Sequence, residues 1–273
     1  MKRAVHTCIM LIALVVLCYS AYHIFLIQRS YSEGDSLYQE VQEQAVQIDT
    51  SEGSDEEEAP KSDDKDGDKN NKKSKEQQKL SFPKTSIDFS YLKTVNTDIC
   101  GWIFLEDSVI SYPIVQAEDN EFYLTRSYNK SASNFGSIFL DMRNTNNFKD
   151  YNTIVYGHNM KNGSMFGGLK RYQEENYYKE HKYFYIFTED KMYRYQVCSA
   201  YTTTAGSDVY TTQYDTVEDW LAYEQKIIGY SIIDTNVSLE KEDKIITLST
   251  CHGVHTDNRF IVQAKLVAEK VIQ

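Results

Sequence analysis

A chain of 273 residues is long enough for one packed domain with segments to spare. The formal net charge of −11, with no basic patch interleaved with aromatics, argues against a nucleic-acid partner. The composition is uneven, and it divides the chain into three parts: 1–28, 29–80 and 81–273.

Residues 8–27 form a mostly apolar run of the length that crosses a roughly 30 Å hydrocarbon core as a helix. A cleaved signal peptide has a shorter apolar core that ends at a small-residue site, whereas here Ile24 and Ile27 carry the run past the one candidate, Ser20-Ala21. An uncleaved anchor is expected. Leu17-Cys18 is only a loose match to a lipoprotein processing site, so lipidation is not expected. Lys2 and Arg3 on one flank, against Arg29, Glu33 and Asp35 on the other, predict a single-pass membrane protein with a cytoplasmic N-terminus and its bulk outside the cell.

The second part, 29–80, is read as a disordered charged stalk. Its centre, 52–79, holds ten acids, seven lysines and no aromatic residue, too little apolar surface to offset chain entropy. The third part, 81–273, is rich in Tyr, Ile, Phe and Thr and is the folded domain. It holds Cys100, Cys198 and Cys251. Three is odd, so outside the cell at least one thiol stays free or pairs between chains.

Short β-rich runs recur at 101–105, 112–115, 136–140, 153–156, 183–188, 193–203, 244–250 and 259–267. Their β-branched and aromatic content predicts a mostly antiparallel barrel or sandwich. Helical patterns interrupt it at 86–96, 120–126, 164–175 with Ser164 as the expected cap, and 216–230 with Thr216 and Asp219 as a capping pair.

The chemistry-bearing residues concentrate near the C-terminus, in Thr247-Leu248-Ser249-Thr250-Cys251-His252-Gly253-Val254-His255. Cys251, His252 and His255 supply three zinc-type ligands. A fourth would have to come from Cys100 or Cys198, on separate strands. Cys251 as a small buried hydrophobe is a second reading, which leaves the polar loop after it unexplained. The third is a nucleophile. Two antiparallel strands, one ending near Cys251 and one opening at Arg259, would set these residues side by side at one sheet edge. A neighbouring cation there lowers a thiol pKa or stabilises charge on an attacked carbonyl. A proton donor for the leaving amine is also needed. His255 in the loop and His158, at the end of the run Thr153-Ile154-Val155-Tyr156-Gly157-His158, both qualify. His252 would point away from Cys251 in extended backbone.

Tyr156-Gly157-His158-Asn159-Met160-Lys161, Thr247-Leu248-Ser249-Thr250-Cys251, Arg259 and the run Val262-Gln263-Ala264-Lys265-Leu266 together resemble the sortases. Gly136-Ser137-Ile138-Phe139-Leu140-Asp141, Met165-Phe166-Gly167 and the 216–230 helix make class B the most similar. The resemblance implies an eight-stranded β-barrel with peripheral helices, beyond one N-terminal transmembrane helix. It implies a cysteine transpeptidase, a thiol-protease-like acyl transferase that needs no metal or organic cofactor. Cys251 would be the nucleophile, His158 the general acid/base and Arg259 the oxyanion or substrate stabiliser. Ser249 and Thr250 would line the peptide pocket, and His252 and His255 would shape it. The implied partners are surface proteins with a C-terminal sorting signal, cleaved at a Thr-Gly-like bond, and peptidoglycan or its lipid-linked precursor as amine acceptor. An anchor and stalk would hold such a site near its substrates at high effective concentration. A pilin-polymerising sortase, and a non-catalytic membrane-tethered module that binds wall or metal, are the alternatives.

Overall fold

The computed structural model describes residues 2–48, 82–251 and 257–272. It opens with α1, Lys2–Ala45, one helix of 44 residues. The apolar run lies in its first half, and its described side chains are exposed. Among the described residues α1 alone is long and apolar enough to cross a membrane. The second half is different. Tyr38, Val41 and Ala45, spaced by three and four, are buried against the domain. Fully burying a side chain the size of Val41 contributes about 1.5–3 kcal/mol.

This moves a boundary. The stalk expected from residue 29 is helix as far as Ala45 and then strand β1, Val46–Ile48. The rest of that expected stalk, 49–81, lies outside the described residues. β1 pairs antiparallel with β2, Thr85–Ile87, Ile48 opposite Thr85. Helix α2, Phe89–Val95, follows, and Asp88 caps it by accepting from the Tyr91 N–H at 2.8 Å.

The eight β-rich runs become the eight strands of a closed barrel. They are β3 (Ile99–Phe104), β4 (Ser111–Val115), β5 (Ile138–Leu140), β6 (Asn152–His158), β7 (Tyr183–Phe187), β8 (Lys191–Thr204), β9 (Ile245–Cys251) and β10 (Asn258–Val271). Their order around the barrel is β10-β8-β7-β3-β4-β5-β6-β9. Pairing is antiparallel except at β4–β5 and β6–β9, which run parallel. Closure leaves the barrel itself without an open edge. Trp102, Ile103, Ile114, Phe187 and Val262, all fully buried, belong to the core.

Helix α3 is Glu175–Glu180 and α4 is Val217–Gly229. The α4 start forms as expected: the Asp219 N–H donates to Thr216 Oγ1 at 3.1 Å and the Thr216 N–H to Asp219 Oδ2 at 3.2 Å. Three other helical expectations shrink. The 86–96 pattern yields only α2, because its first residues join β2. The 120–126 pattern is a single 3-10 turn, Phe122–Leu124. The helix expected from Ser164 starts later, as a 3-10 helix over Gly167–Gln173, since Met165 sits at φ 52° and the Ser164 hydroxyl bonds Asn162 instead of capping.

Candidate active site

Parallel strands bring equivalent ends to the same rim, and β6 with β9 does this for the two halves of the predicted site. Their register pairs Ile154 with Thr247, Tyr156 with Ser249, Gly157 with Thr250 and His158 with Cys251. Both strands end there. The nucleophile candidate and the distant histidine are therefore backbone neighbours. On the other side β10 pairs with β9, Ile261 opposite Ser249. Two residues beyond Ile261 stands Arg259, and two beyond Ser249 stands Cys251, so continuing the antiparallel register faces one with the other. Arg259 is half-buried and its Nη1 donates to the Asn258 carbonyl at 3.3 Å. The side chain of Cys251 and residues 252–256, with His252 and His255, lie outside the described residues.

The remaining domain thiols are poor nucleophiles. Burial pushes both Cys100 and Cys198 up to about 12, so each stays protonated at neutral pH. Neither is in a disulfide. Their Sγ atoms lie against the carbonyls of Ile114 and Gln263.

Among the described residues His158 is held by packing rather than by a side-chain hydrogen bond. Its Nδ1 is buried with no partner among the described residues, and burial lowers its pKa, so the imidazole is predominantly neutral at pH 7. What fixes the ring is contact. Gly136, at φ +58°, approaches it so closely that a Cβ there would stand 3.0 Å from His158 Cε1 and 2.7 Å from the Tyr123 carbonyl. The His158 carbonyl accepts from the Phe166 N–H at 3.0 Å, tying the loop after β6 back onto the strand.

Below the rim the same outer face is polar and buried. Ser249 is fully buried and shares a 2.9 Å hydrogen bond with the Tyr210 hydroxyl. Tyr210 stacks on Tyr156, whose hydroxyl donates to Asp141 at 2.8 Å. Arg143 grips Asp141 through Nε and Nη2 at 2.8 and 2.7 Å and holds this fully buried carboxylate below the usual carboxylate range, with help from the tyrosine against the opposing cost of burial. Thr250 is also buried, and its hydroxyl accepts from the Phe260 N–H at 2.8 Å, stapling β9 to β10. Deeper still, Thr247 Oγ1 donates to Asn152 Oδ1 at 2.7 Å, and Gln263 Nε2 donates to Thr247 Oγ1 and to the Tyr223 hydroxyl at 3.0 Å each. Asn152 Nδ2 also donates to the Val209 carbonyl at 3.0 Å. The loop before α4 is thus fastened to the floor of the site.

The sequence offered no sign of Gly136, Asn152, Tyr210 or Gln263 as site-building residues. Gly136 and Gln263 fell within the stretches that carried the family resemblance, but their packing depends on partners far away in the chain.

A family model described as the Sortase domain matches residues 105–267. The chain belongs to the sortase family. Sortase B of Listeria monocytogenes is 38% identical over 180 residues, which cover 65% of this chain and 73% of that protein. The Staphylococcus aureus sortase B–substrate complex matches with a TM-score of 0.64 at 31% identity, covering 72% of this chain and 90% of that one. A sortase B complexed with triglycine matches with a TM-score of 0.63 at 33% identity, covering 66% and 85%. The closed eight-stranded barrel is the fold of these sortase B structures, and the sortase is of class B, a cysteine transpeptidase. Among the described residues no group of three or more His, Cys, Asp or Glu is placed to hold a metal ion; the Cys251–His255 stretch is not within that set.

Proposed function

We propose that this sortase is anchored in the membrane of a Gram-positive cell by the apolar half of α1, with its N-terminus in the cytoplasm and its barrel outside. There it joins surface proteins bearing a C-terminal sorting signal to a cell-wall amine. Cys251 attacks the carbonyl carbon of a Thr-Gly-like bond. His158, neutral at rest, takes the thiol proton in that attack and gives it to the departing amine as the C–N bond breaks, leaving a thioester on Cys251. Arg259 stabilises the oxyanion or holds the peptide. An amine of peptidoglycan or its lipid-linked precursor then attacks the thioester and releases the thiol.

The observation that carries this reading is the parallel register that sets His158 beside Cys251 at one barrel rim, with Arg259 on the neighbouring strand. The high pKa values of the other two domain thiols support the same nucleophile. Ser249 serves the site by fixing Tyr210, and Thr250 by tying β9 to β10, rather than through free hydroxyls. The relatives in complex with a substrate and with triglycine support a peptide donor and an amine acceptor.

The test is a sorting-peptide library assayed with competing amines, for the native chain and for Cys251→Ala. Amine-dependent transfer that falls by at least about 10³-fold in the variant is expected. Retained cleavage in Cys251→Ala would remove the nucleophile assignment, and retained activity in His158→Ala with loss in His255→Ala would move the acid/base role to the loop.

A further inference from the structure

Among the described residues two carboxylates are fully buried, Asp141 and Glu224. Arg143 and Tyr156 satisfy the first. Glu224, in the middle of α4, has no hydrogen-bond partner for either oxygen among the described residues. Its surroundings hold more negative charge than positive. Asp243 and Glu240, from the turn that leads into β9, and Lys265 of β10 lie within its field. Lys265 is committed elsewhere: its Nζ bonds Asp243 Oδ2 at 2.6 Å and the Ser238 carbonyl at 3.2 Å. Asp243 Oδ2 also accepts from the Glu240 N–H at 2.7 Å, which closes the turn.

The remaining charges nearby do not reach Glu224. Lys241 and Glu242 pair with each other at the exposed tip of the turn. On α4 itself Glu218, Asp219 and Lys226 are exposed, Asp219 as the cap and Lys226 paired with Asp208. Cys198 of β8 and Tyr214, ahead of α4, stay neutral because burial pushes both pKa values up. Burial first, then Asp243 and Glu240 against the opposing pull of Lys265, pushes the Glu224 carboxyl up to about 7.

The neighbour of Glu224 on α4 ties this proton to the site. The Tyr223 hydroxyl donates to the Val209 carbonyl at 3.0 Å and accepts from Asn152 Nδ2 at 3.1 Å. Tyr210, next after Val209, shares its hydrogen bond with Ser249, two residues before Cys251. An ionised Glu224 inside this packing is desolvated and repelled by two carboxylates, and parting α4 from the 240–243 turn relieves both costs. That movement draws on Tyr223 and hence on the loop that carries Tyr210.

We propose that Glu224 is a proton-dependent latch on the peptide-binding face. Protonated, it lets α4 close against the 240–243 turn and hold Tyr210 on Ser249; ionised, it parts that contact and loosens Tyr210, so that sorting peptides bind less tightly as pH rises. The proposal rests on the peptide-transfer reading above and adds to it a control on donor binding. In the open form the carboxyl returns to its ordinary value near 4.5, so the closed form holds the proton more tightly. Opening therefore gains up to about tenfold per pH unit between about pH 5 and 7, and nothing more above that range, where both forms are ionised.

The chain carries its own probe. Of its two tryptophans, Trp102 is fully buried in the barrel core and Trp220 lies one turn before Glu224, stacked on Tyr223 at 5.7 Å. The experiment follows acrylamide quenching of tryptophan fluorescence in the full chain in detergent micelles, and KM for the peptide that the library assay selects as best donor to triglycine. Between about pH 5 and 7.5, quenching of the native chain should rise about twofold or more and KM about three- to thirtyfold, both levelling off above that, while Glu224→Gln holds both flat. Asp243→Asn, which removes one like charge and frees Lys265 for Glu224, should at least halve the native rise. Equal rises in the native chain and Glu224→Gln overturn the proposal, as does an undiminished rise in Asp243→Asn. A rise in quenching with KM unchanged overturns the link to the peptide face and the proposal with it. Absence of transfer to triglycine at every pH overturns the transferase reading instead, and the quenching, which needs no substrate, distinguishes that failure from failure of the latch.

Discussion

At the first-residue end of β6 and β9, Asn152 and Thr247 bond each other, and Gln263 and Tyr223 complete the set, so the amide and hydroxyl groups there satisfy one another. At the last-residue end, six residues along the same ladder, His158 keeps Nδ1 buried without a partner among the described residues. The two ends share strands, register and neighbours. They differ in whether polar groups are closed on each other or left open. A closed network in a low-dielectric interior rigidifies the sheet. An open nitrogen has spare bonding capacity for a substrate, at a cost in stability that the closed end offsets.

The largest separation of the two ends is expected from His158→Ala. Transfer measured as kcat/KM should fall by about 10²–10⁴-fold, while the melting temperature should fall by only about 2–6 °C, because packing contacts of the ring are lost but, among the described residues, no hydrogen bond is. A large loss of stability would show that the histidine belongs to the closed end after all. Gln263→Leu should do the converse. It takes one partner each from Thr247 and Tyr223, which keep their bonds to Asn152, and removes the acceptor of the Tyr201 hydroxyl, which donates to Gln263 Oε1 at 3.0 Å; it should cost about 1–3 kcal/mol in denaturant unfolding with much smaller effects on kcat per folded molecule. Gly136→Ala joins the ends: a left-handed φ and contacts under 3 Å with backbone carbonyls should cost about 1–3 kcal/mol, and displacement of His158 should lower kcat more than KM rises.

The smallest effect is in pH. Burial sets the folded-state pKa of His158 below its ordinary value near 6.5. The stability linked to the neutral ring is then fully present above the unfolded pKa and lost as pH falls through the folded one. Between pH 7 and 5 the native chain should lose more stability than His158→Gln, by less than about 1.5 kcal/mol, in paired urea titrations. An equal loss in both would mean that the ring gains a partner when charged.

The barrel was legible because its strands are rich in β-branched and aromatic residues and closely spaced, and each of the eight runs became a strand. The β6–β9 register was not. Parallel neighbours about ninety residues apart carry no turn between them to fix their alignment, so residue chemistry alone left His158 and His255 level and only the family resemblance separated them. The docked half of α1 was missed for another reason. Its sequence Leu37-Tyr38-Gln39-Glu40-Val41-Gln42-Glu43-Gln44-Ala45 has an apolar stripe at helical spacing, but one too narrow to stand out beside the charged tract that follows. The helix expected from Ser164 failed locally: the close approach of Gly167 to the Met160 carbonyl, where a Cβ would stand 2.3 Å away, shapes a tight turn over the residues a longer helix would use.

The two-stranded ladder of β1 and β2 has a practical consequence for handling the protein. Because Ile48 and Thr85 are held opposite each other, the segment between them is an insertion whose ends are already joined, and loop-closure entropy grows only as the logarithm of length. A folded reporter domain whose own termini lie close together can therefore be spliced into that position, leaving both chain termini of the sortase unmodified.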